Sequence, residues 1–102
     1  MIKERHSDAD VNTWTEDKLQ KIAGIAKDLI LEEIKKVKKK FPQGGGSLSE
    51  AWLLTYVEDP IRKIYNGYPN VQDVVVTAIA DVCNELIDKG LLKLNGKIFL
   101  IQ

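Results

Sequence analysis

Cysteine, histidine and proline are scarce in this chain of 102 residues, which has one cysteine, one histidine and three prolines. A single cysteine, Cys83, excludes an intrachain disulfide and a cysteine-based metal set. The single histidine, His6, lies in a polar segment where we expect no metal ligand. No apolar run approaches the roughly 18 residues that span a bilayer, and the start of the chain lacks the apolar core of a signal peptide. We therefore expect a cytoplasmic protein with no membrane segment, metal or cofactor.

An excess of charge of one sign is also absent, because 15 Lys and Arg balance 15 Asp and Glu. A net charge of zero gives no long-range attraction toward nucleic acid or acidic membranes, so any such binding requires a local patch. Paired carboxylates, a nucleophile with a neighbouring base and metal-ligand spacing are missing too, and we expect no enzyme. Hydrophobic residues make up 44% of the chain. That share, at this length, predicts one globular domain.

The first 41 residues predict a mobile tail and one long helix. Residues 1–12 are polar and lack apolar anchors, which is typical of a tail. Thr13 and Glu16 have the spacing of a capping box, in which the Thr13 side chain accepts from the backbone N–H of Glu16. A helix over 13–41 follows, and Pro42 prevents its continuation. Its apolar stripe, with steps of three and four residues, consists of Leu19, Ile22, Ala26, Leu29, Ile30, Ile34, Val37 and Phe41.

A glycine-rich loop over 42–47 and two short helices are predicted next. Ser47 or Ser49 can cap a helix over 48–57. Its apolar face comprises Leu48, Trp52, Leu53 and Tyr56. Asp59 followed by Pro60 matches an N-cap and a first helical residue, which predicts a second helix over 60–66. The aromatic residues Trp52, Tyr56 and Phe99 are expected in the core rather than in a base-stacking platform.

The valine-rich segment over 71–89 predicts a long helix rather than a strand. Its apolar stripe lasts about five turns, which is far longer than a typical strand. Gly90 stands where a left-handed C-terminal cap is expected. Cys83 lies on this helix between apolar neighbours, so we expect a buried structural thiol.

The end of the chain predicts a β-hairpin, and Asn95-Gly96 is the residue pair best suited to a type I′ turn. In the corresponding register Leu92 faces Phe99, and apolar side chains occur on both faces of the ribbon. One face packs on the helices, and the other needs a second cover.

The segment from Leu86 through Gly90 to Lys93, followed by Lys97-Ile98-Phe99-Leu100, is similar to the close of many winged-helix domains of the helix-turn-helix family. Together with the preceding helices, residues 48–102 resemble a winged-helix unit. The resemblance implies a mainly α fold with a C-terminal β-hairpin, preceded by a long N-terminal helix. Two mappings are open, because 13–40 is either the first helix of the unit or an added one. We prefer the added helix, which in this family commonly covers a wing or forms a dimer, and expect a homodimer through it.

The resemblance also implies that the helix over 71–89 enters the major groove of duplex DNA. The expected nucleic-acid-binding residues are Gln72, Asp73 and Thr77 toward bases, with Arg62, Lys63, Lys93 and Lys97 on the backbone. However, residues 70–89 contain four carboxylates and only one cation. This excess of negative charge opposes DNA binding, because it repels phosphates. Lysines between Lys35 and Lys40 are interpreted as a solvated helix end that complements the helix dipole.

Two functional hypotheses follow. The first is a small winged-helix nucleic-acid-binding protein, a DNA-binding transcriptional regulator. The alternative is a winged-helix protein-protein interaction module in a larger assembly, without DNA binding.

Overall fold

Three helices and a small sheet form the part of the chain that the computed structural model describes, residues 13–102. The predicted tail over 1–12 lies outside these residues. The elements are α1 (Glu16–Lys40), β1 (Ser47–Ser49), α2 (Glu50–Ile64), α3 (Val71–Asp88), β2 (Leu92–Asn95) and β3 (Ile98–Ile101). The chain is therefore mainly helical with a C-terminal hairpin, as predicted. Between residues 13 and 102, no helix combines the length and the apolar character needed to cross a membrane.

The N-cap of α1 is Thr15, two residues after the predicted cap. Thr15 has extended backbone angles, with φ −115° and ψ 162°, and its side chain accepts a hydrogen bond from the backbone N–H of Lys18. This arrangement places Glu16 and Asp17 in the first turn, where their negative charges interact favourably with the positive pole of the helix. The predicted capping box at Thr13 is therefore wrong.

α1 is one of the three helices of the core. It packs against both α2 and α3. Its inward residues are at most 5% exposed, and they are Ile22, Ala26, Ile30 and Ile34. The ends of the predicted stripe lie outside the core, since Leu19 is 39% and Phe41 is 51% exposed. α1 therefore supplies one wall of the common core, and the two short helices that the preferred mapping used, 48–57 and 60–66, are one helix.

α2 is a single helix where two were predicted. Pro60 lies inside it, although proline lacks the N–H that would donate to the carbonyl one turn earlier. The helix continues because its buried face runs past the proline, with Leu53, Val57 and Ile61 each 0% exposed. Burial of these side chains offsets the cost of about 3 kcal/mol for an interior proline. The predicted helices over 48–57 and 60–66 are wrong in their boundaries.

A short strand, β1, lies where a helix start was predicted. Leu48 is 3% exposed and pairs with Phe99 of β3. Because β1 begins at Ser47, the loop predicted over 42–47 ends one residue earlier. Ser49 then caps α2, because its hydroxyl accepts from the backbone N–H of Trp52 at 2.9 Å. The sheet has the order β1-β3-β2 and is antiparallel throughout. The expected two-stranded ribbon is thus a three-stranded sheet.

The hairpin forms with a register two residues away from the predicted one. Leu92 pairs with Ile101 rather than with Phe99, which leaves Gly96 and Lys97 as the two loop residues. Gly96 has a φ of 65°, whereas Lys97 has no positive φ. Glycine with positive φ at the first central position is the requirement of a type II′ turn, so the predicted type I′ turn is wrong. A shift of two keeps each side chain on its predicted face.

The end of α3 matches the prediction at Gly90. This glycine has a φ of 78°, and its N–H donates to the carbonyl of Ile87. The N–H of Leu91 donates to the carbonyl of Leu86 at 2.9 Å. These two hydrogen bonds form a Schellman motif, which ends the helix and directs the chain into β2.

Candidate binding surfaces

The outward face of α3 carries no positive charge. All eight positions that the helical pattern turns outward are exposed, and they are Gln72, Asp73, Val76, Thr77, Ala80, Asp81, Asn84 and Asp88. The structure therefore places Gln72, Asp73 and Thr77 together on the first two turns of α3. The Thr77 hydroxyl donates to the backbone carbonyl of Asp73 at 3.0 Å.

Arg62 and Lys63 lie in the last turn of α2, before the turn into α3. Each is exposed and forms an ion pair with a carboxylate one helical turn earlier. Arg62 contacts Glu58, and the Nζ of Lys63 lies 3.4 Å from the carboxylate of Asp59. A phosphate would have to compete with these carboxylates, which weakens both residues as backbone contacts.

Lys93 and Lys97 are the cations of the hairpin. Lys93 pairs with Leu100 across β2 and β3, and Lys97 lies in the turn. Both are exposed. Neither forms an ion pair with any other residue between 13 and 102. The cations expected to contact the DNA backbone therefore lie on the hairpin and at the end of α2, while α3 itself carries carboxylates.

An apolar groove of about 530 Å³ runs between α3, the start of α2 and the hairpin. Its apolar walls include Leu54 of α2, Val76, Ile79 and Ala80 of α3, and Leu94 and Ile98 of the hairpin. Three of these side chains are strongly exposed for apolar groups, with Val76 at 46%, Leu94 at 51% and Ile98 at 38%. Three separate elements contribute to this groove, so no local pattern in the sequence predicts it.

A second groove, of about 500 Å³, lies on the other side of α3 against the first half of α1. Its lining includes Leu19 and three carboxylates, those of Glu16, Asp73 and Asp81. α3 is therefore bordered by an apolar groove on the hairpin side and by an acidic groove on the α1 side.

Cys83 is the only thiol of the chain and lines the floor of the apolar groove. It is 2% exposed, which confirms the prediction of a buried cysteine. Burial, with a smaller contribution from Glu50, raises the pKa of this thiol to about 11. The thiol is therefore protonated at neutral pH and is a poor nucleophile.

The aromatic residues divide into a packed cluster and an exposed pair. Trp14 packs against Tyr65 and Tyr68 with ring centroids 5.2 Å and 4.7 Å away. Trp52, in contrast, is 50% exposed and stacks on the half-buried Tyr56. The prediction that Trp52 lies in the core is wrong, because Leu53 and Val57 occupy the buried face of α2. Phe99 is 6% exposed, as predicted.

Among residues 13–102, no group of three His, Cys, Asp or Glu side chains could hold a metal ion. No family model, no curated protein and no solved structure matches this chain. Its class therefore rests on its own architecture, a three-helix core closed by a small antiparallel sheet.

Proposed function

We propose that this chain is a winged-helix protein-interaction module, which binds a partner protein on the surface formed by α3 and the hairpin. The helix α3 runs through Gly90 into the closing hairpin, which is the feature on which the winged-helix resemblance rests, and this supports that part of the proposal. The observation that carries the function is the exposed apolar groove beside α3, whose outward face has no cation.

The charges and exposure of this surface favour a protein over a nucleic acid. Asp73, Asp81 and Asp88 on α3 repel phosphates, and they attract a protein segment that carries Lys or Arg. Removal of Val76, Leu94 and Ile98 from water supplies a driving force that DNA cannot use as fully. The expected partner element is an amphipathic helix whose apolar face fills the groove and whose basic edge lies on α3.

Site-specific photo-crosslinking tests this function. A crosslinking amino acid replaces Ala80 or Leu94 in the groove, or Asp28 on the exposed face of α1 as a matched control. We expect the same partner to be crosslinked from both groove positions and not from position 28. The purified partner should then bind the Ala80→Arg variant at least about tenfold more weakly than the wild type, because the arginine fills the groove. Equal crosslinking from all three positions would contradict the proposal.

Duplex-DNA binding by a transcriptional regulator is the second candidate function. The cations Lys93 and Lys97 on the hairpin favour it, since neither forms an ion pair between residues 13 and 102 and exposed lysines can contact a DNA backbone. Anisotropy titrations with mixed-sequence and selected duplexes at low salt measure this binding. For this function, the double variant Lys93→Gln/Lys97→Gln must bind more weakly, with a salt slope reduced by about 2. Absence of duplex binding at low salt removes the candidate.

A homodimer through 13–40 stays a prediction. The resemblance suggested it, but the inward residues of α1 are buried in the core of the chain itself, in contact with α2 and α3. A dimer through α1 therefore has to use its exposed apolar ends, Leu19 and Phe41. Light scattering of the wild type and of a Leu19→Glu/Phe41→Glu variant distinguishes the cases, because only a dimer through these residues is converted to a monomer.

A further inference from the structure

A surface on the α1 and α2 side of the molecule combines an exposed tryptophan and a half-buried tyrosine with lysines. The ring centroids of Trp52 and Tyr56 are 5.8 Å apart, and the ring planes differ by 23°, so the two rings are stacked. The Nζ of Lys36 lies 5.7 Å from the centroid of the Tyr56 ring. A lysine of α1 and two aromatic residues of α2 thus lie side by side.

The antiparallel direction of α1 and α2 brings two further residues, one on each helix, to the same side of this contact. Trp14, before α1, contacts Tyr65 at the end of α2, whereas Lys36, late in α1, contacts Tyr56 in the middle of α2. α1 and α2 are therefore antiparallel. Lys40 lies one turn after Lys36 and Trp52 lies one turn before Tyr56, so both follow in the same direction along the surface.

The end of α1 carries more positive charge than a helix terminus requires. All five of its lysines are exposed, and they are Lys35, Lys36, Lys38, Lys39 and Lys40. Within residues 13–102, only Lys36 among them forms an ion pair, with its Nζ 4.0 Å from the carboxylate of Glu33. The C-terminal pole of a helix corresponds to only about half a negative charge, which leaves a surplus of positive charge beside Trp52.

We propose that this surface, the Trp52 platform (Trp52, Tyr56, Lys36 and Lys40), binds single-stranded nucleic acid. The Trp52 ring lies offset against Tyr56, and Trp52 is 50% exposed, which leaves apolar ring surface on which a base can stack. The lysines bind the neighbouring phosphates. Aromatic stacking and lysine contacts do not distinguish one base from another, so binding should be independent of sequence. A duplex cannot use the platform fully, because its bases are already stacked on one another.

The platform is separate from the α3 groove. α2 contributes Ala51 and Leu54 to that groove, whereas Trp52 and Tyr56 lie toward α1. The two surfaces can therefore be changed independently, and the failure of one proposal leaves the other in place.

The two tryptophans allow a direct test by fluorescence. The Trp14→Phe variant leaves Trp52 as the only tryptophan, and the Trp52→Phe variant leaves Trp14, which packs against Tyr65 and Tyr68. The probe is oligo(dT) of about ten nucleotides, a length within the usual site size. We expect saturable quenching at low salt in the first variant and none in the second. Equal quenching in both variants, or none in either, overturns the proposal.

Anisotropy with labelled oligo(dT) measures the contribution of each part. Trp52→Ala should weaken binding by about 5- to 150-fold, the range expected for loss of one stacked base. Lys36→Gln/Lys40→Gln should weaken it and reduce the salt slope by about 1.4, whereas the control Lys21→Gln/Lys89→Gln, at exposed lysines outside every proposed binding surface, should change neither. Circular dichroism verifies folding, and the lysine variants decide the result if Trp52→Ala unfolds. The proposal is overturned if the control pair weakens binding equally, or if duplex DNA or anionic vesicles compete better than unlabelled oligo(dT).

Discussion

The indole N–H of Trp14, just before α1, donates to the backbone carbonyl of Pro69 in the turn before α3, with an N···O distance of 2.6 Å. The same ring packs against Tyr65 and Tyr68, whose own centroids lie 5.2 Å apart. One side chain therefore connects the start of α1 to the turn between α2 and α3, over 55 positions of sequence.

Substitutions of Trp14 separate its hydrogen bond from its packing. Trp14→Phe removes the N–H donor but retains an aromatic ring, and we expect it to lower the free energy of unfolding by about 1 kcal/mol. Trp14→Ala removes both the donor and the ring, and it should lower the free energy of unfolding by about 2 kcal/mol or more. Urea denaturation followed by circular dichroism measures both values. If the two variants were equally stable, the ring contacts with Tyr65 and Tyr68 would contribute nothing.

Two Gly→Ala substitutions should change stability in opposite directions. A Cβ at Gly46 would overlap the Val37 side chain, and we expect Gly46→Ala to cost about 1–3 kcal/mol through overpacking. A Cβ at Gly24, inside α1, meets no atom within 4 Å. Gly24→Ala should therefore stabilise the protein by about 0.5–1 kcal/mol through better helix propensity. Thermal unfolding of the two variants provides the comparison, and a stabilising Gly46→Ala would contradict the close approach of Gly46 to α1.

The Cys83 thiol should be protected in the folded protein. Its burial and its raised pKa of about 11 both reduce the thiolate that reacts with disulfide reagents. At about pH 8, where a free thiol is partly ionised, we expect labelling to be slow in buffer and rapid in concentrated urea. Cys83→Ser should lower stability by about 1–3 kcal/mol, because it introduces a hydroxyl that needs a hydrogen-bond partner. Rapid labelling without denaturant would show that the groove opens.

The ion pair between Lys27 of α1 and Glu85 of α3, with an Nζ···Oε2 distance of 3.0 Å, predicts a pH dependence. The hydrogen bond from Lys27, with its charge and that of Lys89, holds the pKa of Glu85 below its ordinary value of 4.5. A lowered pKa means that the contact stabilises the folded state at pH values above the unfolded pKa. The contribution is lost as the pH falls through the folded pKa.

Lys27→Gln tests this pair. Wild type and variant should differ in urea midpoint at about pH 7 and converge as the pH falls below the lowered pKa of Glu85, and the difference should shrink in high salt. The effect is small, since the two side chains are 37% and 44% exposed. The matched variant Lys89→Gln removes a longer contact of 3.9 Å and should have the smaller effect. A difference that persists unchanged to low pH would show that Lys27 acts through packing rather than through charge.

Local patterns predicted the helices wherever an apolar stripe was long. The stripes of α1 and α3 extend over several turns, and Gly90 has no competing role, so these elements and the α3 cap follow from the sequence. Pro60 misled the prediction for α2, because a helix-breaking residue was weighed without the buried face that runs past it. Leu48 was assigned to a helix since a three-residue strand has no visible alternation and depends on its partner, Phe99.

The candidate surfaces also combine features that local patterns predict with features that depend on tertiary packing. Exposure of Gln72, Asp73 and Thr77 followed from helical periodicity, and the acidic character of α3 was visible in the sequence. The apolar groove and the stacked pair of Trp52 and Tyr56 were not, because a groove wall or an exposed ring exists only relative to neighbouring elements. A tryptophan at an apolar helical position was therefore placed in the core.

By itself, the sequence determined that this protein is a mainly helical domain with a closing hairpin, since periodicity, caps and turn residues act over a few neighbouring positions. Only the tertiary structure decided that α1 belongs to the core, that Leu48 adds a third strand and that Trp52 faces solvent. These outcomes depend on which faces cover one another, and side-chain burial between distant segments is a property of the packed chain rather than of any local pattern.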